Sequence, residues 1–265
     1  MKKSTVKWLS LLLAMLLVAF SMTACLKEDG ADDEDDEEKV EQKSPEELYV
    51  DALNAVNTST NWEVTTTQVI DMSATVNGEL QTEQQTQSFL QKMCGENVYV
   101  KVWGPSLNTE TWYVDGTLYV VNGSVKAKAT LSLDEYREKY QSDTDANLLN
   151  IPSDWFDDVE VEQKDGQTSL HFSVSGNQYA AAVGDALSSM GMGNDVQLGD
   201  VDYTVSFDKH DNIRQIICDF SATFTVEGVA VTAKYHTVSE VKLNVVQSIE
   251  APADGDSYID VTGQI

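Results

Sequence analysis

The stretch "VDYTVSFDKHDNIRQIICDFSATFTVEGVAVTAKY", residues 201–235, decides the fold class. Apolar and polar side chains alternate along three runs in it, which is the period of a strand with one buried face. The polar turn "DKHDN" separates the first two runs, and Glu227-Gly228 turns the chain back into the third. The second and third runs, of about a dozen residues, exceed the usual strand length of about 5–6. Such long one-sided hairpins favour a curved antiparallel sheet wrapped around helices.

The same alternation recurs upstream. From Trp62 to Val76 the even positions are mostly apolar, and Asn77-Gly78 then supplies a tight hairpin turn. The returning segment, which includes "QTEQQTQSFLQ", is polar on both faces, so we predict an edge or solvent-exposed strand. Two later pairs of strands are predicted around Asp115-Gly116 and Asp165-Gly166, because Asp-Gly between alternating runs is a hairpin signal.

Helix signals lie between the strands. Ser44-Pro45-Glu46-Glu47 predicts a helix start with Ser44 at the N-cap and a capping box closed by Glu47. Ser132 and Glu135 predict a second, short helix, and Asn177 to Met190 has helical spacing. The predicted fold class is therefore α+β, with a long curved antiparallel β-sheet, or half-barrel, wrapped around a few α-helices. A helix and hairpins in each half suggest a weak internal duplication.

The amino terminus reads as an export signal. Three lysines precede the apolar run Trp8 to Phe20, which has the length of a signal-peptide core and is shorter than the about 20 residues of a membrane span. Met22-Thr23-Ala24-Cys25 resembles the lipobox of bacterial lipoproteins, with Met22 in place of the usual Leu. The resemblance implies that residues 1–24 are a lipoprotein signal peptide and that Cys25 receives a lipid. The alternative is an ordinary signal peptide with an incidental cysteine.

Residues 25–43 carry the lipidated Cys25 and an acidic run that predicts a disordered tether. A block of like charges buries too little apolar surface to offset the entropy of ordering, and its repulsion extends the chain. Metal buffering by this run is the alternative. Composition does not change abruptly across residues 44–265, so we predict a single domain there.

The charge balance excludes some partners. The chain has 17 basic and 44 acidic residues. Residues 1–43 hold six of the basic and ten of the acidic ones, which leaves 11 and 34, a net charge of −23. Nucleic acid and anionic lipid headgroups need clustered Lys and Arg, so we expect neither as a direct partner. The simplest interpretation of the acidic excess is that it keeps the protein soluble. A more specific interpretation is that the carboxylates bind cations.

No catalytic motif is present. His171, His210 and His236 lie outside any paired metal or protease pattern, and the sequence has no nucleophile elbow, P-loop or dinucleotide fingerprint. Residues 143–147 have the alternating oxygen donors of a calcium loop, but Leu148 stands where that loop needs Gly. We therefore expect no enzyme activity, no cofactor and no metal site.

With Cys25 lipidated, two cysteines remain. An exported location permits a Cys94–Cys218 disulfide. Cys218 also falls on an apolar strand face, which is typical of a buried free thiol. The sequence leaves both alternatives open.

Beyond the lipobox, the mature region resembles a family of surface lipoproteins from Gram-positive bacteria and, more distantly, the half-barrels of the LolA/LolB lipoprotein carriers and the LppX/LprG lipid-binding lipoproteins. Pattern and order carry the resemblance, in "SPEELYVDALNAVNTSTNWEV", "TWYVDGTLYVVNG", "VSFDKHDNIRQI" and the closing strands to "IEAP". It implies an apolar groove between sheet and helices that holds acyl chains or another hydrophobic ligand.

Strand alternation indicates which side chains would line such a groove. The inward-facing candidates are large and apolar or aromatic: Trp62, Ile70, Met72, Tyr203, Phe207, Phe220 and Phe224. The alternative is that they simply fill the core, as apolar strand faces normally do.

The function we predict is that of a lipoprotein anchored on the extracytoplasmic face of the cell membrane through Cys25. It is non-enzymatic and binds or carries a hydrophobic or lipid ligand. An alternative is a cell-surface interaction module that recognises a protein or a cell-wall polymer through exposed strands such as "QTEQQTQ". A hydrolase would require carboxylates buried together in a cleft.

Overall fold

One large sheet dominates the computed structural model, which describes residues 43–105, 107–140, 151–164, 166–180, 196–226 and 228–263. The sheet is open and curved. Helices α1 (Pro45–Thr58) and α2 (Leu133–Tyr140) accompany it, and residues 176–180 are helical as well. The strands are β1 (Asn61–Val76), β2 (Glu79–Cys94), β3 (Asn97–Trp103), β4 (Asn108–Val114), β5 (Thr117–Asn122), β6 (Val125–Thr130), β7 (Asp157–Lys164), β8 (Gln167–Val174), β9 (Gln197–Leu198), β10 (Val201–Phe207), β11 (Ile213–Val226), β12 (Val229–Leu243) and β13 (Ile259–Asp260).

The strand order is β13-β6-β5-β4-β3-β2-β1-β12-β11-β10-β8-β7, with β9 added beside β11. Each run of neighbours in sequence forms antiparallel hairpins, and the two halves join where β1 pairs with β12 from Trp62–Leu243 to Ala74–Val231. The prediction of an antiparallel half-barrel is thus confirmed at the level of an open curved sheet with a few helices. One pair differs, because the short β13 lies parallel to β6.

Turn chemistry explains the main hairpins. Asn77 and Gly78 adopt φ values of 54° and 80°, and Asp115 and Gly116 adopt 48° and 77°. Two consecutive positive φ angles define the turn whose twist matches the flanking strands, and Asn-Gly and Asp-Gly are the pairs that tolerate it. The predicted turns therefore fix the register of β1 with β2 and of β4 with β5.

Helix α1 begins with the predicted capping box. The Glu47 N–H donates to Ser44 Oγ at 3.2 Å, and the Ser44 N–H donates to Glu47 Oε2 at 2.8 Å. The helix then buries one side against the sheet, where Tyr49 meets Phe172 of β8 edge-on at 5.7 Å between ring centroids. The predicted cap of the second helix also forms, since the Glu135 N–H donates to Ser132 Oγ.

The face of the sheet that meets the helices, called the buried face below, carries the apolar phase of each strand. In β10, and in β11 from Ile216 onward, the alternation is regular, with Val205 and Phe207 fully buried and Asp202 and Thr223 on the opposite face. Each large apolar side chain taken out of water contributes about 1.5–3 kcal/mol of transfer free energy. Burial of this face therefore holds the helices on the sheet.

Strand β2 differs from its prediction. It pairs with β1 over its whole length and with β3 from Ser88 to Cys94. The prediction of an edge or solvent-exposed strand is wrong from Ser88 to Cys94, where β2 is a central strand. From Glu79 to Gln87 β2 pairs with β1 but not with β3, as an edge strand would, although Gln85 and Gln87 are buried. The hairpin end from Glu79 to Thr82 is exposed on both faces, and Gln84 and Thr86 are exposed beyond it.

The two ends of the sheet are different. At one end β13 lies along β6, where the Val261 N–H donates to the Lys128 carbonyl oxygen at 2.8 Å. At the other end β7 is exposed along most of its length and carries four acidic residues, Asp157, Asp158, Glu160 and Glu162.

Some predictions lie outside the described residues. These are the signal peptide of residues 1–24, lipidated Cys25 with the tether up to residue 42, and the acidic segment at 143–147. Of the helix predicted over 177–190, residues 176–180 are helical and the rest lies outside the description. Within the described ranges, no helix has the length and hydropathy of a membrane span.

Candidate functional site: the buried face of the sheet

All seven side chains predicted to face inward lie buried on this face, in one hydrophobic cluster. The aromatic members are ordered by contact. Phe220 stacks on Tyr235 at 4.4 Å, and Tyr203 stacks on Phe172 at 5.1 Å between ring centroids. Contact of any of them with a ligand remains a prediction. The full set is Trp62, Ile70, Met72, Tyr203, Phe207, Phe220 and Phe224.

A group of buried polar side chains interrupts this apolar face. We call it the central polar patch. Its members are uncharged and belong to the three neighbouring strands β12, β1 and β2, and they make up all the buried polar or charged side chains of the described residues: Gln68, Gln85, Gln87, Gln91, Thr237 and Ser239.

Strand register extends the patch into a row across the sheet. Tyr203 lies opposite Cys218, Cys218 opposite Thr237, Thr237 opposite Gln68, and Gln68 opposite Gln87. Five adjacent strands thus each place a polar group at the same level of the buried face. Side chains directly opposite each other have Cβ atoms about 4.5–5.5 Å apart, so neighbours in this row are in reach of one another.

Only some of the polar groups in this row have a hydrogen-bond partner. Gln68 Nε2 donates to Thr237 Oγ1 at 3.0 Å, while Thr66 and Ser239 share a hydroxyl hydrogen bond at 2.9 Å one level away. The amide oxygens of Gln68 and Gln87 have no partner. Because a buried acceptor without a donor costs about 1–3 kcal/mol, this level of the sheet is locally unfavourable as it stands.

Tyrosine hydroxyls add to the unpaired groups. The Tyr235 hydroxyl is buried without a hydrogen-bond partner, as is that of Tyr179. Tyr203 interacts electrostatically with the Cys218 thiol, but its hydroxyl makes no well-formed hydrogen bond. Burial raises the pKa of Tyr203, Tyr179 and Tyr49 well above the usual value, with the nearby Cys218 sulfur as a further cause. These groups are therefore neutral at physiological pH.

The two helices cover the flanks of this face. Tyr49 of α1 packs on Phe172 of β8, and Tyr136 of α2 stacks on Tyr113 of β4 with ring centroids 4.3 Å apart. The strands that carry the central polar patch lie between these two contacts in the sheet order. The patch therefore occupies the middle of the buried face.

The cysteines do not form the disulfide that the sequence left open. Both thiols are free. Cys94 ends β2 opposite Asn61, whereas Cys218 lies at the level of Gln68. Asn61 and Gln68 are about 23 Å apart along β1 at about 3.3 Å per residue, too far for a bridge. Burial raises the pKa of the Cys218 thiol to about 12, with the carboxylates of Asp219 and Asp202 as smaller causes.

Sequence reasoning placed Gln68 on the inward face but missed the glutamines of β2. A signal was available, because Gln85, Gln87 and Gln91 stand in the same alternating phase as Phe89 and Met93. Thr237 and Ser239 were missed for a similar reason, since they interrupt an apolar phase that runs from Val231 to Val241.

The histidines lie away from this face. His171 Nδ1 is 3.1 Å from Thr204 Oγ1 on the exposed face, and His236 Nδ1 is 2.7 Å from Asp219 Oδ1. Among the described residues, no group of three His, Cys, Asp or Glu side chains is placed to hold a metal ion.

An aromatic row crosses the exposed face of the other half. Trp112 of β4 lies between Tyr99 of β3 and Tyr119 of β5, with the Tyr99 and Trp112 ring centroids 5.3 Å apart. Lys92 and Lys128 extend the same level on either side. This surface is separate from the central polar patch, which lies on the opposite face.

No protein-family model matches the chain, and no curated protein matches its sequence. Solved structures give weak similarities. A DUF1329 family protein from Desulfovibrio piger is 12% identical over 77% of this chain and 93% of its own, with a TM-score of 0.24. An outer membrane lipoprotein-sorting protein domain from Vibrio parahaemolyticus is 8% identical over 77% and 93%, with a TM-score of 0.25. The ywiB protein from Bacillus subtilis is 9% identical over 66% and 91%, with a TM-score of 0.18. Similarities at this level do not assign the chain to a family.

Proposed function

We propose that this chain is a lipoprotein held on the extracytoplasmic face of the membrane through a lipid on Cys25, and that the buried face of its sheet binds or carries a hydrophobic ligand. The protein acts without catalysing a reaction. One observation carries the ligand proposal: four adjacent strands of 14 to 16 residues present a long buried face, mainly apolar around the central polar patch, which exceeds what a small core needs.

The location is supported by the sequence of the amino terminus. Two or more acyl chains on Cys25 would hold the protein firmly, since each buried methylene contributes about 0.8 kcal/mol and one chain alone binds only marginally. The acidic segment that follows would keep the domain away from an anionic surface.

The ligand proposal is tested on protein extracted from its own membrane. Native mass spectrometry should find a lipid or another hydrophobic molecule bound in addition to the covalent anchor, and solvent extraction should release it. Protein that is consistently empty under conditions that preserve non-covalent complexes would overturn the proposal.

The anchor is tested separately. Cys25→Ser should move the protein from the membrane fraction to the medium, and peptide masses of the wild type should show a lipid on an N-terminal Cys25. Cys94→Ser is the matched control and should stay with the membrane. Wild-type protein with an unmodified Cys25 would contradict the anchor.

The aromatic row of the exposed face favours a second candidate function, that of a cell-surface interaction module. Flat aromatic rings at adjacent strands, such as those of Tyr99 and Trp112, stack on sugar rings. If this face recognises a cell-wall polymer, Trp112→Ala should reduce sedimentation with isolated cell walls. Trp103→Ala is the control, because Trp103 lies at the end of β3, outside the row. Equal sedimentation of the wild type and both variants would count against this function.

A further inference from the structure

Two amide groups at the middle of the buried face each have an unused end. Gln68 and Gln87 lie opposite each other and are only 2% and 3% exposed. The side-chain nitrogen of Gln68 donates a hydrogen bond to Thr237, and the side-chain oxygens of both glutamines have no donor. Two adjacent buried acceptors are a site for a ligand with two hydrogen-bond donors, because leaving such groups unpaired is costly.

The lack of ionised groups in the central polar patch limits which ligands could bind there. The central polar patch contains amides and hydroxyls and no ionised group. At the hairpin end of β2, Glu83 lies on the same face and accepts a hydrogen bond from Gln85 Nε2 at 2.8 Å. A carboxylate or phosphate placed at the patch would be buried without a counterion and would share this face with Glu83, which is strongly unfavourable. The site therefore favours an uncharged polar group.

Apolar side chains lie on both sides of the level that holds Gln68. Ile70 and Tyr235 lie one level away towards the hairpin end, and Val64 and Val241 lie two levels away in the other direction, beyond Thr66 and Ser239, whose hydroxyls bond each other. A ligand bound here meets buried amide oxygens without a donor at the level of Gln68 only. Towards β11 and β10 the same face is mainly aliphatic and aromatic, which suits an acyl chain.

From these observations we infer that the buried face selects an uncharged amphiphile, whose neighbouring hydroxyl groups donate to Gln68 and Gln87 while its acyl chain follows the apolar strand faces. A monoacylglycerol is the simplest molecule of this class. The inference rests on the hydrophobic-ligand function proposed above and adds the chemistry of the polar group.

The test compares three lipids with the same C16 chain. Mature protein in detergent is delipidated and exposed to an equimolar mixture of 1-monopalmitoylglycerol, palmitic acid and palmitoyl lysophosphatidylglycerol, and the complexes are counted by native mass spectrometry. The wild type should retain the monoacylglycerol at least about tenfold over either charged lipid. Gln87→Met and Gln68→Met should reduce this preference to about twofold or less while still binding palmitoyl chains.

Gln81→Met is the matched control, because Gln81 belongs to the same strand but is exposed. It should keep the wild-type preference. Preference for a charged lipid, or an unchanged preference in both buried-glutamine variants, would overturn the inference while leaving the hydrophobic-ligand function intact. Failure of the wild type to bind any of the three lipids would overturn the inference together with that function.

Discussion

Gln68 and Gln87 face each other across β1 and β2, and the amide oxygen of each is buried without a hydrogen-bond donor. Sheets tolerate a buried polar pair readily when its members bond to each other or to a neighbour. Here Gln68 donates one hydrogen bond to Thr237, and the side-chain oxygens of Gln68 and Gln87 accept none. The buried face of the sheet therefore contains a local energetic defect at the level of these two glutamines.

Removing one of these acceptors should stabilise the empty protein. Gln87→Met keeps the length of the side chain and eliminates the buried amide, so the free energy of unfolding should rise by about 1–3 kcal/mol. Urea unfolding of delipidated protein, followed by tryptophan fluorescence, measures the change. Gln81→Met on the exposed part of β2 should alter it by less than about 0.5 kcal/mol. A clear loss of stability in Gln87→Met would show that the amide is satisfied in solution.

The two free thiols should differ in reactivity. Cys94 is partly exposed at the end of β2, whereas Cys218 is buried and its pKa is raised to about 12, mainly by burial. Thiolate is the reactive form, so iodoacetamide at pH 8 should label Cys94 and leave Cys218 unlabelled until urea unfolds the protein. Peptide mass spectrometry reads each site separately. Rapid labelling of Cys218 in native protein would contradict its placement on the buried face.

Glu63 should contribute stability that depends on pH. It accepts from Lys92 at 2.9 Å and from Lys242 at 3.1 Å, and the Lys92 hydrogen bond is the main cause of its lowered pKa. A carboxyl with a lowered folded-state pKa stabilises the fold above its ordinary value of 4.5 and loses that contribution as pH falls through the folded value.

Glu63→Gln should therefore lower the free energy of unfolding by about 1 kcal/mol at pH 7, a modest amount because the lysines are partly exposed. The difference from the wild type should shrink below pH 4.5. Glu79→Gln, at the exposed hairpin end, serves as the comparison and should show little effect at either pH. A Glu63→Gln difference that grows on acidification would contradict the assignment.

Gly176 should not tolerate a side chain. A Cβ atom there would overlap the backbone carbonyl oxygens of Leu198 and Gly199, which cannot move without displacing β9. Gly176→Ala should destabilise the protein by roughly 1–3 kcal/mol in urea unfolding. Gly199→Ala is expected to cost less, since its Cβ would meet the Ser221 hydroxyl at 2.7 Å and that side chain can rotate. Equal stability of Gly176→Ala and the wild type would mean that the approach to β9 is looser than described.

The predictability of this fold from sequence depends on which residues carry the buried phase of each strand. In β10 and β11 those residues are mostly Val, Tyr, Phe and Ile, so hydrophobic alternation alone located the strands and their faces. In β2 three of them are glutamine, and hydropathy therefore indicated exposure. Its position is set by pairing with β1 and β3, a long-range property that no local pattern contains.

The residues of the candidate site were likewise predictable only in part. The apolar and aromatic members were found because burial and hydropathy agree for them. Gln85 and Gln87 were not, since a buried amide is exceptional and its cost appears only when its hydrogen-bond partners are counted in three dimensions. The separation of Cys94 from Cys218 likewise depends on strand register, which spacing in the sequence does not determine.

An open sheet has two ends at which a second copy could add a strand. β13 covers the backbone of β6 at one of them, and the carboxylates of β7, such as Glu160 and Glu162, repel an identical strand at the other. For proteins tethered through Cys25, as proposed here, confinement to a surface raises the local concentration far above that in solution. The acidic and capped ends would then keep neighbouring molecules from polymerising edge to edge on a crowded membrane.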